Sequence, residues 1–342
     1  MRLTFEQALD WYHEDLLVLG QAAQDARYAL HPEPVVTYVV DRNINYTNVC
    51  TSGCRFCAFY KTPESPEGYV ITFEELDRKI RETLALGGTQ ILLQGGLNPH
   101  LSLSYYEDLL RWIKSNYHIH VHGFSPPEIN YLSALSGYSV KEVLQALINV
   151  GLGSIPGGGA EVLSDRVRKI ISPQKGSVSD WLMVMETAHS LGLRTTATMM
   201  FGHVETVEER IQHLMAVRDL QDRTGGFTAF IPWTFQPGHT KLELTEAKGV
   251  EYLRTLALSR LLLDNIPNIQ ASWVTQGSKV AQLALYFGAN DLGSTMIEEN
   301  VVAATGVSHS LSLEEMKHLI TTAGFIPCQR DTFYQAVETS CP

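Results

Sequence analysis

The chain is short of cysteine, of basic residues and of long apolar runs, and each shortage excludes a class of protein. Only five of its 342 residues are cysteines, an odd number that argues against the disulfide framework of a small secreted domain. Lysine and arginine total 26 against 37 acidic residues, a net charge of −11, so we expect neither nucleic acid nor an anionic membrane surface as a partner. No run of about 18 apolar residues occurs, so we expect no transmembrane helix.

The start of the sequence and its thiols bear on the cellular compartment. Residues 1–6 read MRLTFE, a mixed and acidic segment that does not resemble a secretory signal. Free thiols favour a reducing environment, so the predicted location is cytoplasmic. The hydrophobic fraction of 44% and the charged fraction of 18% are typical of a globular protein with a substantial core.

Short β-rich runs alternate with longer helical patterns along most of the chain. Strands are predicted over residues 35–45, 89–93, 118–124, 154–155, 194–200, 228–231, 269–273 and 289–292. Eight β-then-α units in this order favour an α/β fold, a (β/α)8 barrel of parallel strands. We therefore expect an N-terminal helical segment over residues 1–34, the barrel over 35–325 and a C-terminal tail over 326–342.

The most informative motif is a C-x3-C-x2-C run formed by Cys50, Cys54 and Cys57. A [4Fe–4S] cluster normally takes four thiolates, so three on one loop would leave one iron open to another ligand. A zinc site would want a fourth ligand at a matching spacing, and Cys328 and Cys341 lie far away without a second C-x2-C pair. Buried structural cysteines are the other alternative, although three in eight residues are a poor core pattern. The tail position of Cys328 and Cys341 favours neither cluster nor disulfide.

Glycine-rich segments follow two of the predicted strands, at the end where a barrel carries its chemistry. In residues 94–99 paired glycines would let the backbone approach a ligand closely, although a lone pair can also mark a turn. In residues 156–161 three glycines open a helix whose free amides suit a carboxylate or another polar group. Arg168 could meet such a carboxylate or form a surface salt bridge. The candidate ligand contacts are Gly95, Gly96, Gly158, Gly159, Glu161 and Arg168.

Polar residues follow other predicted strands. His122 and Glu128 come after the third strand as possible substrate contacts, with Ser125 as a cap for the next helix. His203 follows the fifth strand and is either a ligand contact or a structural histidine; without a histidine at i+4 it is a poor metal ligand. Asp291 ends the last strand, where a partly dry site could raise its pKa and make it a general base, or where it could cap a loop.

Taken together, these motifs resemble the radical S-adenosylmethionine (SAM) superfamily. The whole chain resembles the branch that includes the menaquinone futalosine-pathway enzymes and the deazaflavin FO synthases. The resemblance is carried by the three cysteines and by residues 94–99, 124–128, 156–161, 202–205 and 288–291. Within the branch, residues 41–48 and 271–277 look most like the members that cyclise dehypoxanthinyl futalosine.

This resemblance implies a [4Fe–4S] cluster on the three cysteines, with the amino and carboxylate groups of SAM on its open iron. It places Phe56 and the segment of His203 near the adenine, and the glycines of residues 94–99 near the SAM amino group. Phe56 could equally serve loop packing. An external electron donor such as a flavodoxin or ferredoxin is implied as well.

The implied reaction is a radical cyclisation. A 5′-deoxyadenosyl radical abstracts hydrogen from C4′ of the ribose, the carbon radical adds to the benzoate ring of the same molecule, and loss of an electron and a proton restores aromaticity. Asp291 is the expected base for that proton. The expected substrate contacts are Glu128, Thr275 and Gln276 for hydroxyls, His122 at the barrel mouth, and Tyr60 and Trp233 beside the aromatic ring.

Three other functions stay open at this point. An aminofutalosine synthase would add the adenosyl radical to an enolpyruvyl benzoate, and an FO synthase subunit would act on tyrosine. An iron–sulfur electron-transfer or cluster-carrier protein is the alternative of another class, and it would not cleave SAM. The large barrel and the glycine segments argue against a carrier, which needs neither.

Overall fold

Two helices precede the strands in the computed structural model of this protein. Helix α1 is Phe5–His13 and helix α2 is Leu16–Leu30. Thr4 begins α1 with a capping box, in which its hydroxyl accepts from the Gln7 amide and the Gln7 side chain accepts from the Thr4 amide. The carboxylate of Asp15 caps α2 and separates the two helices, which the sequence predicted as one helical stretch. The structure describes residues 2–307, 309–337 and 341.

Parallel strands form the centre of the molecule. Strands β2 to β8 make a seven-stranded parallel sheet in sequence order, and β10, β1 and β9 make a second parallel sheet with β1 in the middle. Within the described residues the strands are β1 (Val35–Val39), β2 (Asp41–Asn45), β3 (Gln90–Gln94), β4 (His120–Gly123), β5 (Ser154–Ile155), β6 (Arg194–Phe201), β7 (Phe227–Thr234), β8 (Asn268–Ile269), β9 (Asp291–Ser294) and β10 (Ile326–Gln329).

Strand β9 joins the two sheets into a ring. On the β8 side, the amide of Asn290 donates to the carbonyl of Ile269 at 3.1 Å, and the amide of Ala271 donates to the carbonyl of Asp291 at 2.8 Å. On the other side Asp291 pairs with Thr37 of β1, and β1 continues into β2 across a single residue. The predicted (β/α)8 barrel is therefore confirmed, with its first strand divided into β1 and β2.

Amphipathic helices cover the outside of the ring. In α3 the buried positions Leu76, Ile80 and Thr83 fall on one face, as the helical period requires. Among the described helices, none combines the length and hydrophobicity that crossing a bilayer requires. The helices after α2 are α3 (Phe73–Ala85), α4 (Leu103–Asn116), α5 (Pro126–Ser136), α6 (Val140–Asn149), α7 (Asp165–Ile171), α8 (Val178–Ser190), α9 (Val207–Thr224), α10 (Gly249–Leu262), α11 (Trp273–Ala284) and α12 (Leu313–Thr322).

The chain after α12 returns to the barrel. Strand β10 pairs in parallel with β1, so this segment lies beside the first strand of the ring. Cys328 of β10 forms a disulfide with Cys341. The sequence assigned Cys328 and Cys341 no role, because no strand was predicted after residue 325 that would bring the two cysteines together. An odd number of cysteines argues against a network of several disulfides but is compatible with a single one.

Candidate active site

The three cysteines lie on the loop that follows β2, at the carboxyl end of the barrel strands. Cys54 is buried, Cys50 and Cys57 are half-buried, and all three are free thiols. The hydroxyl of Ser52 lies 3.0 Å from the sulfur of Cys54, and its amide lies 3.4 Å from the sulfur of Cys50. Burial raises the pKa of the Cys50 and Cys57 thiols. This loop therefore gathers three sulfur ligands in a largely dry environment.

The donor set fits a three-cysteine cluster in its chemistry. Cys54 lies close enough to Cys50 and Cys57 for their charges to interact. In the part of the chain that the structure describes, no three His, Cys, Asp or Glu side chains are already arranged around one metal position. Thiols must lose their protons before they bind a metal, so cluster binding would reorient and deprotonate these side chains together.

Side-chain hydrogen bonds hold the cysteine loop in place. Asn48 donates to the carbonyl of Glu67 at 3.0 Å and accepts from the amide of Tyr69 at 2.8 Å. Asn45 donates to the carbonyl of Gln94 at 3.3 Å. Asn48 therefore ties the cysteine loop to residues 67–69, and Asn45 ties the end of β2 to the end of β3.

Gly96 lets the end of β3 pack directly against this loop. A Cβ atom at this position would overlap the carbonyl oxygen of Val49 and lie 2.8 Å from the Cβ of Cys50. At Gly95 it would lie 2.5 Å from the ring of Tyr46. The close backbone approach that the sequence predicted for a ligand is thus used by the protein itself to seat the cysteine loop.

Glu128 connects the start of α5 to the glycine segment. It is 3% exposed, and its carboxylate accepts from the amide of Ser125 at 2.7 Å, from the Ser125 hydroxyl at 2.5 Å, from the Gly95 amide at 3.1 Å and from the Tyr46 hydroxyl at 2.5 Å. Burial raises the pKa of Glu128. Four donors already surround this carboxylate, so it positions the glycine segment; its contact with a substrate stays a prediction.

A buried ion pair lies beside the cysteine loop. The carboxylate of Glu161 is 2.6 Å from the ammonium of Lys175, and these side chains are only 4% and 17% exposed. The ammonium also lies 5.0 Å from the centre of the Phe56 ring. The charges of Glu161 and Cys54 raise the pKa of Lys175 although burial opposes them. Sequence reasoning missed Lys175, because it lies in the loop after α7 and not after a strand.

Arg168 is 2% exposed, so the alternative of a surface salt bridge is wrong. Its guanidinium donates to four backbone carbonyls, those of Gly159 at 2.9 Å, Ala160 at 3.0 Å, Lys175 at 3.2 Å and Gly176 at 2.9 Å. Arg168 therefore holds the glycine segment after β5 against the segment that carries Lys175. A direct contact between Arg168 and a ligand carboxylate stays a prediction.

A cavity of about 290 Å³ lies inside the ring of strands. Four of the predicted site residues line it: His122, Gly158, Trp233 and Thr275. The lining also includes polar residues that were not predicted as site residues, namely Asp41, Gln94, Arg330 and Tyr334. Asp41 begins β2 and Arg330 follows β10, so neither lies in a loop after a predicted strand, where a barrel carries its chemistry.

Other predicted contacts lie outside this lining, among them Tyr60, Gln276 and His203. The Tyr60 hydroxyl accepts from the ammonium of Lys241, and the Gln276 side chain donates to the Thr234 hydroxyl. The imidazole of His203 is fully buried, with Nδ1 2.8 Å from the carboxylate of Glu205 and Nε2 2.9 Å from the Met200 carbonyl. This geometry is that of a histidine with structural partners, and its contact with a cofactor stays a prediction.

Asp291 and Arg330 form a fully buried ion pair. The guanidinium lies 2.7 Å and 3.0 Å from the two carboxylate oxygens, which also accept from the Thr37 hydroxyl at 2.6 Å and the Gly293 amide at 2.8 Å. Arg330 lines the cavity and lies 3.9 Å from the centre of the Tyr334 ring. Asp291 thus fixes Arg330 at the cavity wall, and its role as a general base stays a prediction.

Asp41 brings a carboxyl group to the cavity without an ion-pair partner among the described residues. It accepts from the Gln90 side chain at 2.6 Å and from the Ser294 hydroxyl. Burial raises the pKa of Asp41. Asp41 belongs to the segment 41–48 that carries the resemblance, but it begins a strand and does not follow one, so it was not predicted as a site residue.

His122 and His120 share one serine hydroxyl. Nδ1 of His122 lies 2.6 Å from Oγ of Ser154, and Nε2 of His120 lies 2.7 Å from the same oxygen. Burial lowers the pKa of His122 to about 3, with the charges of His120 and Arg330 acting in the same direction. Burial also lowers the pKa of His120 to about 4. Both imidazoles are therefore neutral at neutral pH.

Acidification is expected to destabilise the fold through these two histidines. In the unfolded chain they take up protons near pH 6.5, whereas the folded state binds them only near pH 4 and pH 3. The unfolded state therefore holds more protons within this window, so the stabilisation is complete above pH 6.5 and is lost as the pH falls. Each histidine contributes a slope of up to about 1.4 kcal/mol per pH unit.

Urea unfolding of the wild type and of His122→Asn between pH 7 and pH 4 measures this slope. As the pH falls, we expect the free energy of unfolding to decrease less steeply for the variant than for the wild type. The difference in slope should correspond to the uptake of about one proton. Identical slopes for the two proteins would contradict the prediction.

Comparison with protein-family models assigns the chain to a class. Residues 44–217 match the model of the Radical SAM superfamily, and residues 224–341 match a model described as the CofH/MqnC C-terminal region. The chain belongs to the radical SAM superfamily, in agreement with its barrel and its cysteine loop. It is an enzyme of that class, and the family implies SAM and a [4Fe–4S] cluster as cofactors.

Two similar relatives are both named cyclic dehypoxanthine futalosine synthase. The relative from Halalkalibacterium halodurans is 48% identical over 341 residues, which cover 99% of this chain and 92% of the relative. The relative from Streptomyces coelicolor is 46% identical over 341 residues, covering 98% and 85%. A third, the 5-amino-6-(D-ribitylamino)uracil–L-tyrosine 4-hydroxyphenyl transferase of Methanococcoides burtonii, is 42% identical over 313 residues, covering 88% and 87%.

Solved structures support the fold alone. Methylornithine synthase superposes with a TM-score of 0.73 at 17% identity, covering 96% of this chain and 94% of that structure. The FeFe-hydrogenase maturase HydG from Carboxydothermus hydrogenoformans superposes with a TM-score of 0.77 at 16% identity, covering 97% of this chain and 77% of that structure.

Proposed function

We propose that this protein is a radical SAM cyclase that converts dehypoxanthinyl futalosine into cyclic dehypoxanthinyl futalosine in menaquinone biosynthesis. The observation that carries the proposal is the similarity of 46–48% over nearly the full length of two synthases of that name. The barrel supports it, because the cysteine loop follows β2 and residues of β2 line the cavity in which a substrate would lie. Radical chemistry needs such an enclosed site, since a wet one would quench the intermediates.

The cofactor site is assigned to the cysteine loop and its neighbours. Cys50, Cys54 and Cys57 would hold the [4Fe–4S] cluster, and when bound it supplies the electron that cleaves SAM to the 5′-deoxyadenosyl radical. The ammonium of Lys175 offsets part of the negative charge that three thiolates bring to this dry loop. The proposed SAM contacts are Phe56, Gly95, Gly96, Gly158, Gly159, Glu161, Arg168 and His203.

The substrate site is assigned to the barrel cavity. Dehypoxanthinyl futalosine carries a benzoate, and Arg330 is the guanidinium that lines the cavity, so Arg330 would face the carboxylate. The Trp233 ring would bound the aromatic ring, and the Thr275 hydroxyl would bind a ribose hydroxyl. The protein thereby holds C4′ of the ribose near the ring carbon that it must attack. Tyr60, Gln276, Glu128 and the proposed base Asp291 complete the set of proposed contacts.

The proposed reaction also needs an external one-electron donor. A flavodoxin or ferredoxin would meet that need, and both the donor and the small-molecule substrate are consistent with a location in the cytoplasm. We propose neither a nucleic acid nor a membrane as a partner, since the net charge is −11.

An anaerobic assay of products tests the proposal. The protein is reconstituted with iron and sulfide, reduced, and supplied with SAM and dehypoxanthinyl futalosine. We expect free 5′-deoxyadenosine together with a product two hydrogens lighter than the substrate, both identified by mass spectrometry. SAM cleavage without that product would contradict the cyclase assignment, and no SAM cleavage by a protein with an intact cluster would contradict the enzymatic role.

The relative from Methanococcoides burtonii motivates a second candidate function. Its 42% identity covers most of both chains, so a tyrosine-dependent radical reaction is the main competitor. L-Tyrosine with 5-amino-6-(D-ribitylamino)uracil, and separately an enolpyruvyl benzoate, serve as alternative substrates in the same assay. An adenosyl group found inside the product would favour an aminofutalosine synthase.

A further inference from the structure

One chain of hydrogen bonds runs along the inside of the barrel. His120 and His122 are two residues apart on β4, so their side chains leave the same face of the strand. Ser154 of the neighbouring strand β5 pairs with His122 in register, and its hydroxyl lies 2.6 Å from His122 and 2.7 Å from His120. Imidazole and hydroxyl groups both donate and accept protons, so this chain is continuous for proton transfer.

The two ends of the chain open into different cavities. His122 lines the barrel cavity. His120 lines a second cavity, of about 610 Å³, where β3, β4 and β5 begin. We call this second space the floor cavity; Lys114 and His118, which are exposed, lie in its wall. The chain therefore connects the interior of the barrel with the solvent-facing end opposite the cysteine loop.

We propose that His122, Ser154 and His120 form a proton relay, which carries the proton released by the cyclisation from the barrel cavity to the floor cavity. The inference rests on the proposed function, because that reaction releases a proton inside the barrel. It deepens that function by giving the proton an exit on the side of the barrel away from the radical.

Addition of the ribose radical to the ring forms the new C–C bond and leaves a cyclohexadienyl radical. The C–H bond at the attacked carbon then breaks and its electron pair stays on the ring. Its proton goes to Nε2 of His122, which takes the place of Asp291 as the base, because the Asp291 carboxylate already accepts four hydrogen bonds. The ring passes one electron to an oxidised carrier of the flavodoxin or ferredoxin class and becomes aromatic. His122 gives its Nδ1 proton to Ser154, Ser154 gives its own to Nε2 of His120, and His120 releases its Nδ1 proton into the floor cavity.

The surroundings favour movement in this direction. Burial lowers the pKa of both histidines, and nearby charges act on them differently at the two ends of the chain. Arg330 disfavours a charge on His122. At the outer end Asp331 favours a charge on His120 and Lys114 opposes it, with burial as the dominant influence.

Other carboxyl groups near the barrel cavity offer no comparable exit. Asp41 is bonded to the amide of Gln90, whose oxygen accepts from Thr332, and an amide does not relay protons as an imidazole does. Asp41 also accepts from the Ser294 hydroxyl, whose oxygen accepts from the backbone amide of Met296 and so leads to no further proton acceptor. The carboxylate of Glu299 accepts from the backbone amides of Val301, Val302 and Ala303, which cannot take up a proton. Asp291 accepts four hydrogen bonds and is paired with Arg330. The histidine chain is thus the path whose members can each accept one proton and pass on another.

Variants that break the chain at its middle and outer members test the relay. Ser154→Ala removes the bridging hydroxyl, Ser154→Thr keeps it, and His120→Asn removes the outer imidazole. His189→Asn is the matched control, because His189 is another half-buried imidazole between two hydroxyls, those of Thr224 at 2.7 Å and Thr195 at 2.8 Å, and it lines neither cavity.

We expect Ser154→Ala and His120→Asn to form cyclised product about 100-fold more slowly, with SAM binding unchanged. A larger solvent deuterium isotope effect and recovery of His120→Asn by added imidazole should accompany the loss. His189→Asn should stay near the wild-type rate, and Ser154→Thr, which keeps the hydroxyl, should recover much of the rate that Ser154→Ala loses. A Ser154→Ala enzyme with wild-type rate and isotope effect overturns the relay.

A measurement on the resting protein separates this proposal from the proposed function. In ¹⁵N-histidine NMR spectra, Ser154→Ala should shift the ring signals of both His120 and His122 and leave those of His189 unchanged. Unshifted signals overturn the hydrogen-bonded chain itself, whatever the enzyme's substrate. A wild-type enzyme that makes no cyclised product overturns the proposed function, and the relay's role falls with it even if the NMR shifts are found.

Discussion

Replacing Cys54 by alanine is expected to abolish cluster binding and SAM cleavage completely. Cys54 is the central and most buried of the three cysteines, and it interacts with both of the others. With one thiolate fewer on the loop, a cluster would have two cysteine ligands from it, and the described residues contain no other free cysteine as a substitute. Iron and sulfide content, visible absorbance and 5′-deoxyadenosine formation measure the effect.

Cys328→Ala is the matched control for this experiment. It also removes one cysteine, but Cys328 lies on β10, away from the cysteine loop, and forms a disulfide with Cys341. We expect this variant to bind a full cluster and to cleave SAM at the wild-type rate. An intact cluster in Cys54→Ala, or a lost cluster in Cys328→Ala, would show that the cluster is not held by the loop after β2.

Replacing Arg330 by methionine is expected to destabilise the fold by about 3–5 kcal/mol, because it leaves the carboxylate of Asp291 buried without its counter-charge. The pair joins the segment after β10 to β9, which joins the two sheets, so its loss loosens the ring as well as the cavity wall. The free energy of unfolding in urea, measured on the cluster-free protein, gives the magnitude.

Arg111→Met provides the comparison for an exposed pair. Arg111 lies 2.6 Å from Asp108, and both side chains are more than half exposed. Exposed pairs contribute about 0.2–1 kcal/mol, so this variant should unfold close to the wild type. If Arg330→Met lost as little unfolding free energy as Arg111→Met, Asp291 would not be held as a buried anion. That result would support its proposed role as a general base.

The barrel was predictable because its signals are local. Each strand is a short β-rich run followed by a helical pattern, and eight such units leave few alternatives to a parallel ring. The C-x3-C-x2-C run was also predictable, since all three ligands come from one loop whose spacing is visible in the sequence.

The polar wall of the cavity was not predictable in this way. Arg330 lies in the segment after the last strand and carries no motif, and Asp41, although it begins the segment 41–48, lies at the start of a strand and not in a loop after one. Lys175, which lies beside the cysteine loop, belongs to a loop between helices that carries no motif either. The disulfide between Cys328 and Cys341 depended on a strand, β10, that the sequence pattern did not reveal. By position, Glu128 was predicted as a substrate contact and Asp291 as a base, whereas the structure surrounds each carboxylate with four hydrogen bonds.

The sequence by itself determined the class of fold, the cysteine loop and the order of the glycine segments, because spacing along one chain encodes them. Only the tertiary structure decided which polar groups share a hydroxyl, a counter-ion or a cavity wall. His120, His122 and Ser154 illustrate the difference, since the serine lies more than 30 residues from both histidines along the chain. Their contact exists only because β4 and β5 are neighbours, and strand pairing is a long-range choice that no local pattern records.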